Sequence, residues 1–525
     1  MRKRISLAGF IITVLTFQFC VQDHVLDPGF KEMLKYSIFD FVVQNDQAEE
    51  FSSFLAIIKK GNLDKTLRAH NPNGENYTLF LPDNKAMDHF IKNSNRFNSL
   101  AELLENQEYV DILCRYHVVN RGIRSNDFPF GAFPEPTLSG DFLTVTFIIE
   151  PDTSYYKINN QAPVIYPDIE TSNGYIHLIS EVLQPITFTT YQWIEQNPGY
   201  AIFKQAVDET GFRETINLNL KEKENEEELP ITLLLEHDSV FNKHGIFTFE
   251  DLTLKISPND NNYSSPLNPL YNFVGYHILS GNLFMNDFEG RATNYSTYSE
   301  VPLNINGLGI DIAINKGKEV FDTIVVQNDT TLIDFIGFYY DISNVITQSG
   351  AIHFINHVMT VKTPSIADKY FDFWEEPLLN KYRNEVGSYF IEDTASLSRI
   401  KWTGADLFFI KEEEDSQNAW GNDFLQITGN FKISYRIPKI VQGKYNAFLG
   451  AHSYYKSNAL VEVAIDGKKV GGLIDLSYGG SNDYPFQGIK LGTVEFIKYS
   501  EHTVEITSLI PGRFLWDYIG FNKFE

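Results

Sequence analysis

The sequence predicts a multidomain chain in which two mixed α/β domains repeat one element order and an all-β jelly-roll sandwich follows them. Three observations predict it. At 525 residues the chain exceeds what one hydrophobic core sustains. A strand, a capped helix, a second helix, an alternating strand and a glycine-led strand occur in that order before residue 187 and again, altered, before residue 363. Beyond residue 386 helical periodicity gives way to short runs that alternate apolar and polar side chains.

Composition sets the outer limits. A hydrophobic fraction of 43% with 21% charged residues is that of a folding chain. The net charge of −25 repels nucleic acid and anionic membrane surfaces, and no basic stripe offsets it, so nucleic acid is not an expected partner. Residues 1–20 read as an export signal: MRKR supplies the positive start, and the apolar run Ile5 to Phe19 is too short to span a bilayer. The run ends on Cys20, as a bacterial lipoprotein signal does, which makes Cys20 the candidate lipidation site. Phe19 stands where such signals carry a small residue, so simple secretion or a retained anchor is the alternative. Residues 21–35 read as a linker. The other cysteine, Cys114, falls on the apolar side of a helical pattern and reads as a small buried hydrophobe.

The first domain, residues 36–187, begins its pattern at YTLFLPDNKAM. Pro82 cannot donate to a sheet ladder and closes the strand Tyr77 to Leu81, after which Asp83 and Asn84 offer capping oxygens to a helix. A second helix is expected over SLAELLENQEYVDILCRYHVV, ending on Tyr116-His117. LTVTFIIE (143–150) alternates as a strand, and NGYIHLISEVLQP (173–185) reads as a glycine-led strand stopped by Pro185. The second domain, residues 190–363, repeats the order in ITLLLEHDSVF (231–241), LYNFVGYHILSG (270–281), LGIDIAIN (308–315) and SGAIHFINHVM (349–359).

These blocks resemble the fasciclin domain. Tyr116-His117 and Tyr276-His277 match its Tyr-His pair, and Gly174 to Pro185 matches its terminal strand. The second copy departs from the pattern at Glu236, which stands where the first has Pro82, and in the acidic insertion KEKENEEEL (221–229). The resemblance implies two compact mixed α/β folds, each a β-sandwich wedge with helices. It also implies structural roles for the Tyr-His pairs, an adhesive or matrix-contacting function, and no enzyme activity.

Residues 364–386 read as a packed aromatic connector. In residues 387–525, VEVAIDGKKVGG places Val461, Val463 and Ile465 on one face and turns at Asp466-Gly467, and HTVEITSL (502–509) and FLWDYIGF (514–521) are further strands. Their order is similar to galactose-binding-like jelly rolls, many of which bind carbohydrate. Sugars are held by aromatic faces and planar polar groups, so Trp402, Trp420, Tyr454, Tyr455, Tyr478, Asn482 and Tyr484 are the candidate glycan contacts, with loop anchoring as the plainer role for each. Trp516 alternates into the core.

Catalytic patterns are absent from the sequence: there is no HExxH, GxSxG, phosphate loop or CxxC. His353 and His357 have metal-ligand spacing but no third ligand nearby, and Glu412-Glu413-Glu414-Asp415 lacks alternating calcium spacing, so no metal or cofactor is expected. The expected function is that of a non-catalytic, lipid-anchored outer-membrane protein facing the cell exterior. Its expected partner is a polysaccharide or oligosaccharide, and the arrangement resembles accessory lipoproteins of SusC/SusD-type uptake systems. Adhesion to a protein or matrix through the α/β domains is the alternative, and a hydrolase comes third.

Overall fold

The computed structural model describes residues 36–45, 50–71, 76–94, 96–150, 153–220, 228–308, 311–326, 329–413 and 419–524. The export signal, Cys20, the linker, most of the acidic insertion, and Glu414 and Asp415 lie outside the described residues. Two compact units emerge, one ending at Pro185 and the other starting at Ile186.

In the first unit, strand Tyr77–Pro82 is buried at every position because both faces are covered. Leu79 and Leu81 share a buried core with Phe54 and Leu113 of the helices and with Ile176 of the neighbouring strand. Phe80 faces the other way, its ring 5.8 Å from Phe133 and 5.4 Å from His177. Asp83 accepts the Ala86 N–H at 2.7 Å and starts helix Asn84–Asn93, as its position after the proline predicts. The single helix expected after residue 99 is instead two, Leu100–Glu105 and Gln107–Tyr116. Asn106 divides them by taking the Tyr109 N–H on its side chain at 3.0 Å, a local bond that competes with helix continuation. Strand Gly174–Ile179 ends earlier than Pro185. It runs parallel to Tyr77–Pro82 within a seven-stranded sheet, the two lying third and second from one edge, with Gly174 opposite Tyr77.

The second unit opens with an α/β half built on the same pairing. Ile231–Leu235 lies parallel to Gly350–Phe354 with Ile231 opposite Gly350. The Leu234 N–H donates to the His277 carbonyl at 2.9 Å, as Phe80 does to that of His117 at the same distance. The surrounding sheet differs, for the continuous seven strands of the first unit become separate sheets of four, three and two.

Both Tyr-His pairs are buried. His117 Nδ1 bonds the Leu113 carbonyl at 2.9 Å, and its Nε2 accepts the Leu183 N–H at 3.0 Å. Burial pushes this imidazole down to about 4, so it is neutral. His277 Nδ1 makes the same bond, to Phe273 at 2.7 Å, but its Nε2 meets Glu236 Oε1 at 2.8 Å. That oxygen also accepts the Met359 N–H at 2.9 Å. The residue that replaces Pro82 therefore stands between a histidine and an amide that bond directly in the first unit, and its Oε2 has no hydrogen-bond partner among the described residues.

The rest of the second unit is an antiparallel sandwich. One sheet runs Gly387–Ile391, Leu407–Lys411, Asp423–Gly429, Gly512–Lys523, Gly443–His452, Phe486–Phe496. The other runs Ile400–Thr403, Lys432–Ile440, Ser500–Ile510, Leu460–Ile465, Lys468–Lys469. Asp466 and Gly467 both have positive φ, 49° and 73°, in the expected two-residue turn. The expected connector is part of the sandwich itself. Lys369–Phe371 pairs with the terminal strand, and Phe371, Phe373 and Leu379 enter the core. Glu376 is buried beside them and accepts backbone N–H groups of Ser398 (2.9 Å), Arg399 and Ile400 (3.0 Å). The α/β half touches the sandwich where the Tyr499 hydroxyl donates to the Asn294 carbonyl at 3.0 Å.

Glu236→Ala leaves the Met359 amide and His277 Nε2 without partners in a site that excludes water. The expected loss is about 2–4 kcal/mol, seen as a lower calorimetric transition for the second unit and faster hydrogen exchange at Met359. Glu236→Gln, which keeps an acceptor and adds a donor, recovers most of it. An unchanged Met359 exchange rate in Glu236→Ala refutes this role.

Candidate functional site

The residues expected to contact glycan separate into three places. Trp402 is not at the surface. Strand Ile400–Thr403 turns Ile400 and Trp402 inward and Lys401 and Thr403 outward, which leaves Trp402 8% exposed in the sandwich core. A one-residue shift of strand parity separates a sugar platform from a core residue. Trp516 is in that core, as expected, with Phe373 at 5.1 Å.

The tyrosines after residue 453 are brought together. Ser453 joins their two loops: its N–H donates to the Pro485 carbonyl at 2.9 Å, its carbonyl accepts the Gly480 N–H at 2.8 Å, and its hydroxyl accepts from Gln487 Nε2 at 2.7 Å. Tyr455, Tyr478 and Tyr484 stand 70%, 70% and 68% exposed, and Asn482 is exposed between them. Tyr454 is half-buried, edge-on to Tyr455 at 5.1 Å. Buried His452 holds the first loop, its Nδ1 taking the Tyr454 N–H at 3.3 Å and the Ser457 hydroxyl at 3.0 Å. Burial, then Lys456 and Arg513, push its imidazole down to about 4, which keeps Nδ1 free to accept.

Trp420 belongs to a second surface that sequence reasoning reached only in part. Its ring, 48% exposed, stands edge-on to Tyr370 and to Tyr518, both at 5.7 Å, and these two lie 5.6 Å from each other. The shelf is paved with glycine. A Cβ on Gly450 would collide with the Tyr518 ring, one on Gly488 would lie 2.9 Å from its hydroxyl, and one on Gly520 would lie 2.8 Å from Tyr370. The Tyr370 hydroxyl donates to Asn522 Oδ1 at 2.6 Å. Tyr370 and Tyr518 were not reached from the sequence. Strict alternation from an inward Trp516 would turn Tyr518, Gly520 and Asn522 inward too. The register shifts between Trp516 and Tyr518, so Ile519 and Phe521 enter the core and Tyr518 faces out. The one local signal is the glycines, which in strands mark close approach by another group.

Behind the shelf lies a buried charge cluster. The Trp420 N–H donates to Asp517 Oδ2 at 2.9 Å, which fixes the indole's backbone. Arg383 pairs with Asp423 at 3.2 Å and Asp372 at 3.6 Å, and Lys411 reaches Asp423 at 3.6 Å. Burial raises all three carboxyls against the pull of these cations, Asp372 to about 7 and Asp517 to about 8.

The metal spacing of His353 and His357 leads nowhere. His353 is buried with both nitrogens engaged, Nδ1 by the Asn344 N–H at 3.2 Å and Nε2 by the Leu283 carbonyl at 2.8 Å. No group of three or more metal-ligating side chains has metal-binding geometry among the described residues.

The fasciclin domain profile matches residues 49–185. Protein sll1483 of Synechocystis sp. is 31% identical over 137 residues, which cover 26% of this chain and 68% of that protein. The chain belongs to the fasciclin-domain family. Stabilin-2 of rat is 31% identical over 140 residues, but these span 26% of this chain and only 8% of stabilin-2. Among solved structures, the fasciclin domain pair of insect fasciclin I aligns with 62% of this chain and 96% of its own, at 15% identity and a TM-score of 0.26. A family 35 carbohydrate-binding module from Clostridium thermocellum aligns over 26% of this chain and 100% of its own, at 12% identity and a TM-score of 0.19. The profile match gives this chain one fasciclin domain, in the first unit. Among the described residues no helix is long and apolar enough to cross a membrane.

The raised carboxyls carry a pH signature. Asp372 and Asp517 sit above the ordinary aspartate value of 3.8 because the fold favours their protonated forms. The stability they add is full below that value and is lost as pH rises through 7 to 8. The sandwich is therefore expected to melt at progressively lower temperature from about pH 4 to about pH 8, and Asp517→Asn to flatten that decline. A decline of the same steepness in Asp517→Asn rules the assignment out.

Proposed function

We propose that this chain is a non-catalytic, exported glycan-binding protein whose C-terminal sandwich carries the ligand. One observation carries the reading: exposed Tyr370 and Trp420 and half-buried Tyr518 form an aromatic shelf over a glycine-paved sheet. Exposed aromatic groups of this size cost free energy unless a partner covers them, and pyranose C–H faces stack on such rings while hydroxyls find nearby polar groups. Asn522, which accepts the Tyr370 hydroxyl, supplies an amide of the right kind. On this reading the chain comprises an export signal over 1–20, a linker over 21–35, a first fasciclin domain over 36–187, and a divergent second one over 190–363. Cys20 carries the lipid that holds it to the outer membrane, and a SusC/SusD-type uptake complex is the assembly it would serve. The repeated strand register of the two α/β halves supports a tandem arrangement.

A specific observation favours adhesion as the second reading. The first unit presents a groove of about 590 Å³ lined by Phe147, Tyr155, Tyr156, Pro163 and Ile165, and Ile149 beside it is 78% exposed. A partner protein would bury such a surface.

Affinity electrophoresis of the full chain through gels containing a polysaccharide panel tests the first reading. Retardation by at least one polymer is expected, with several-fold weaker retention in Trp420→Ala and Tyr518→Ala. Trp402→Phe, a core change, is expected to leave retention intact. Migration unchanged by every polymer refutes glycan binding and favours the adhesive groove.

A further inference from the structure

Beside the tyrosine-rich loops lies a cavity of about 550 Å³ where the turn after Asp423–Gly429, the loop after Gly443–His452 and the turn before Gly512–Lys523 meet. Tyr455, Lys456, Asn458, Gly512 and Arg513 line it. Its backbone is fixed. The Arg513 N–H donates to Asn458 Oδ1 at 2.7 Å, and the Asn458 N–H returns a bond to the Arg513 carbonyl at 3.2 Å. Gly512 presses against the opposite strand so closely that a Cβ would lie 2.5 Å from the Ala459 nitrogen.

The two cations stand out in this chain. Acidic residues outnumber basic ones 68 to 43, yet among the described residues neither Lys456 nor Arg513 has a carboxylate partner. Both bear on His452 and favour its neutral form, so their charges act from one neighbourhood. Like charges held near one another repel, and an anion arriving between them removes that repulsion and gains two charge-assisted contacts. Distant acids do not cancel this, because salt screens charges beyond roughly 8–10 Å. Tyr455 adds an exposed ring, and Asn458 keeps its Nδ2 donors for a ligand while its Oδ1 serves Arg513.

We propose that this cavity binds an acidic sugar of a glycan chain, a ring bearing a carboxylate or a sulfate ester. Arg513 forks onto the anionic group, Lys456 neutralises it, Tyr455 stacks on the ring face and Asn458 bonds a hydroxyl. The inference rests on the glycan-binding reading above and adds the chemical class of its ligand.

Affinity electrophoresis of the full chain tests it with polygalacturonate, its fully methyl-esterified form, and a sulfated and an unsulfated galactan. Retention by an acidic polymer is expected to be at least tenfold tighter than by its neutral counterpart, and to weaken as salt rises. The pair that shows the difference identifies the anion as carboxylate or sulfate. Arg513→Gln and Lys456→Gln are each expected to abolish the preference while leaving retention by neutral polymers and the melting temperature unchanged, since neither side chain has a hydrogen bond or ion pair among the described residues and burial alone is the largest cause of the neutral His452. Equal retention by acidic and neutral polymers overturns this proposal and leaves glycan binding standing. An acidic preference that survives in both variants overturns it too, by placing the selectivity elsewhere. No retention by any polymer removes both readings.

Discussion

In both α/β halves a strand pairs in parallel with another that arrives roughly a hundred residues later, and that pairing closes only across a residue without a Cβ. A side chain at Gly174 would run into the Tyr77 carbonyl, and one at Gly350 into that of Ile231. Parallel strands cannot be joined by a tight turn, so everything between them must be packed before the pair is secure. Closing such a loop costs about 4 kcal/mol of chain entropy. The apolar surface of Leu79, Leu81, Leu113 and Ile176 on one side and Leu233, Leu235 and Ile352 on the other offsets it. The Tyr-His pair sits where the last helix of each half turns back to this strand, and its histidine carbonyl accepts an N–H from the strand's fourth residue.

That constraint explains which features were legible in the sequence. The strand, the proline stop, the Asp83 cap and the glycine-led partner are local signals, each enforced by backbone chemistry, and all of them appear. The division of one helix at Asn106 was missed because an asparagine that caps looks the same in sequence as one that faces solvent. The assignment of residues 364–386 to a connector failed for a different reason. A three-residue strand such as Lys369–Phe371 is too short for its alternation to register, and only its partner, the last strand of the chain, defines it.

The candidate site shows the same division. Exposed tyrosines in turn-rich stretches were legible because turns lie at the surface. The shelf was not, since it is assembled from strands far apart in the sequence, and its clearest marks are the glycines that make room for the rings rather than the rings themselves. Trp402 was misplaced because a tryptophan in a short strand beside a turn has two faces available. The parity set by Ile400 decides which it takes.

Glu236 brings these threads to a single position. A proline at the end of the first strand fixes the backbone and asks nothing of its surroundings, so in the first unit the histidine can serve an amide directly. A glutamate there restores flexibility and introduces a buried carboxylate. That carboxylate is tolerable because His277 Nε2 and the Met359 N–H both bond its Oε1, in place of the direct bond that His117 and Leu183 make. The substitution keeps the parallel pairing while the outer sheet has broken into pieces, so the two halves share the element that closes the fold and differ in the surfaces around it. Strand register and the Tyr-His pair are held by the interior, whereas exposed faces are free to diverge. For that reason ligand chemistry in this chain has to be argued from the surfaces of each unit separately, and not carried from one α/β half to the other.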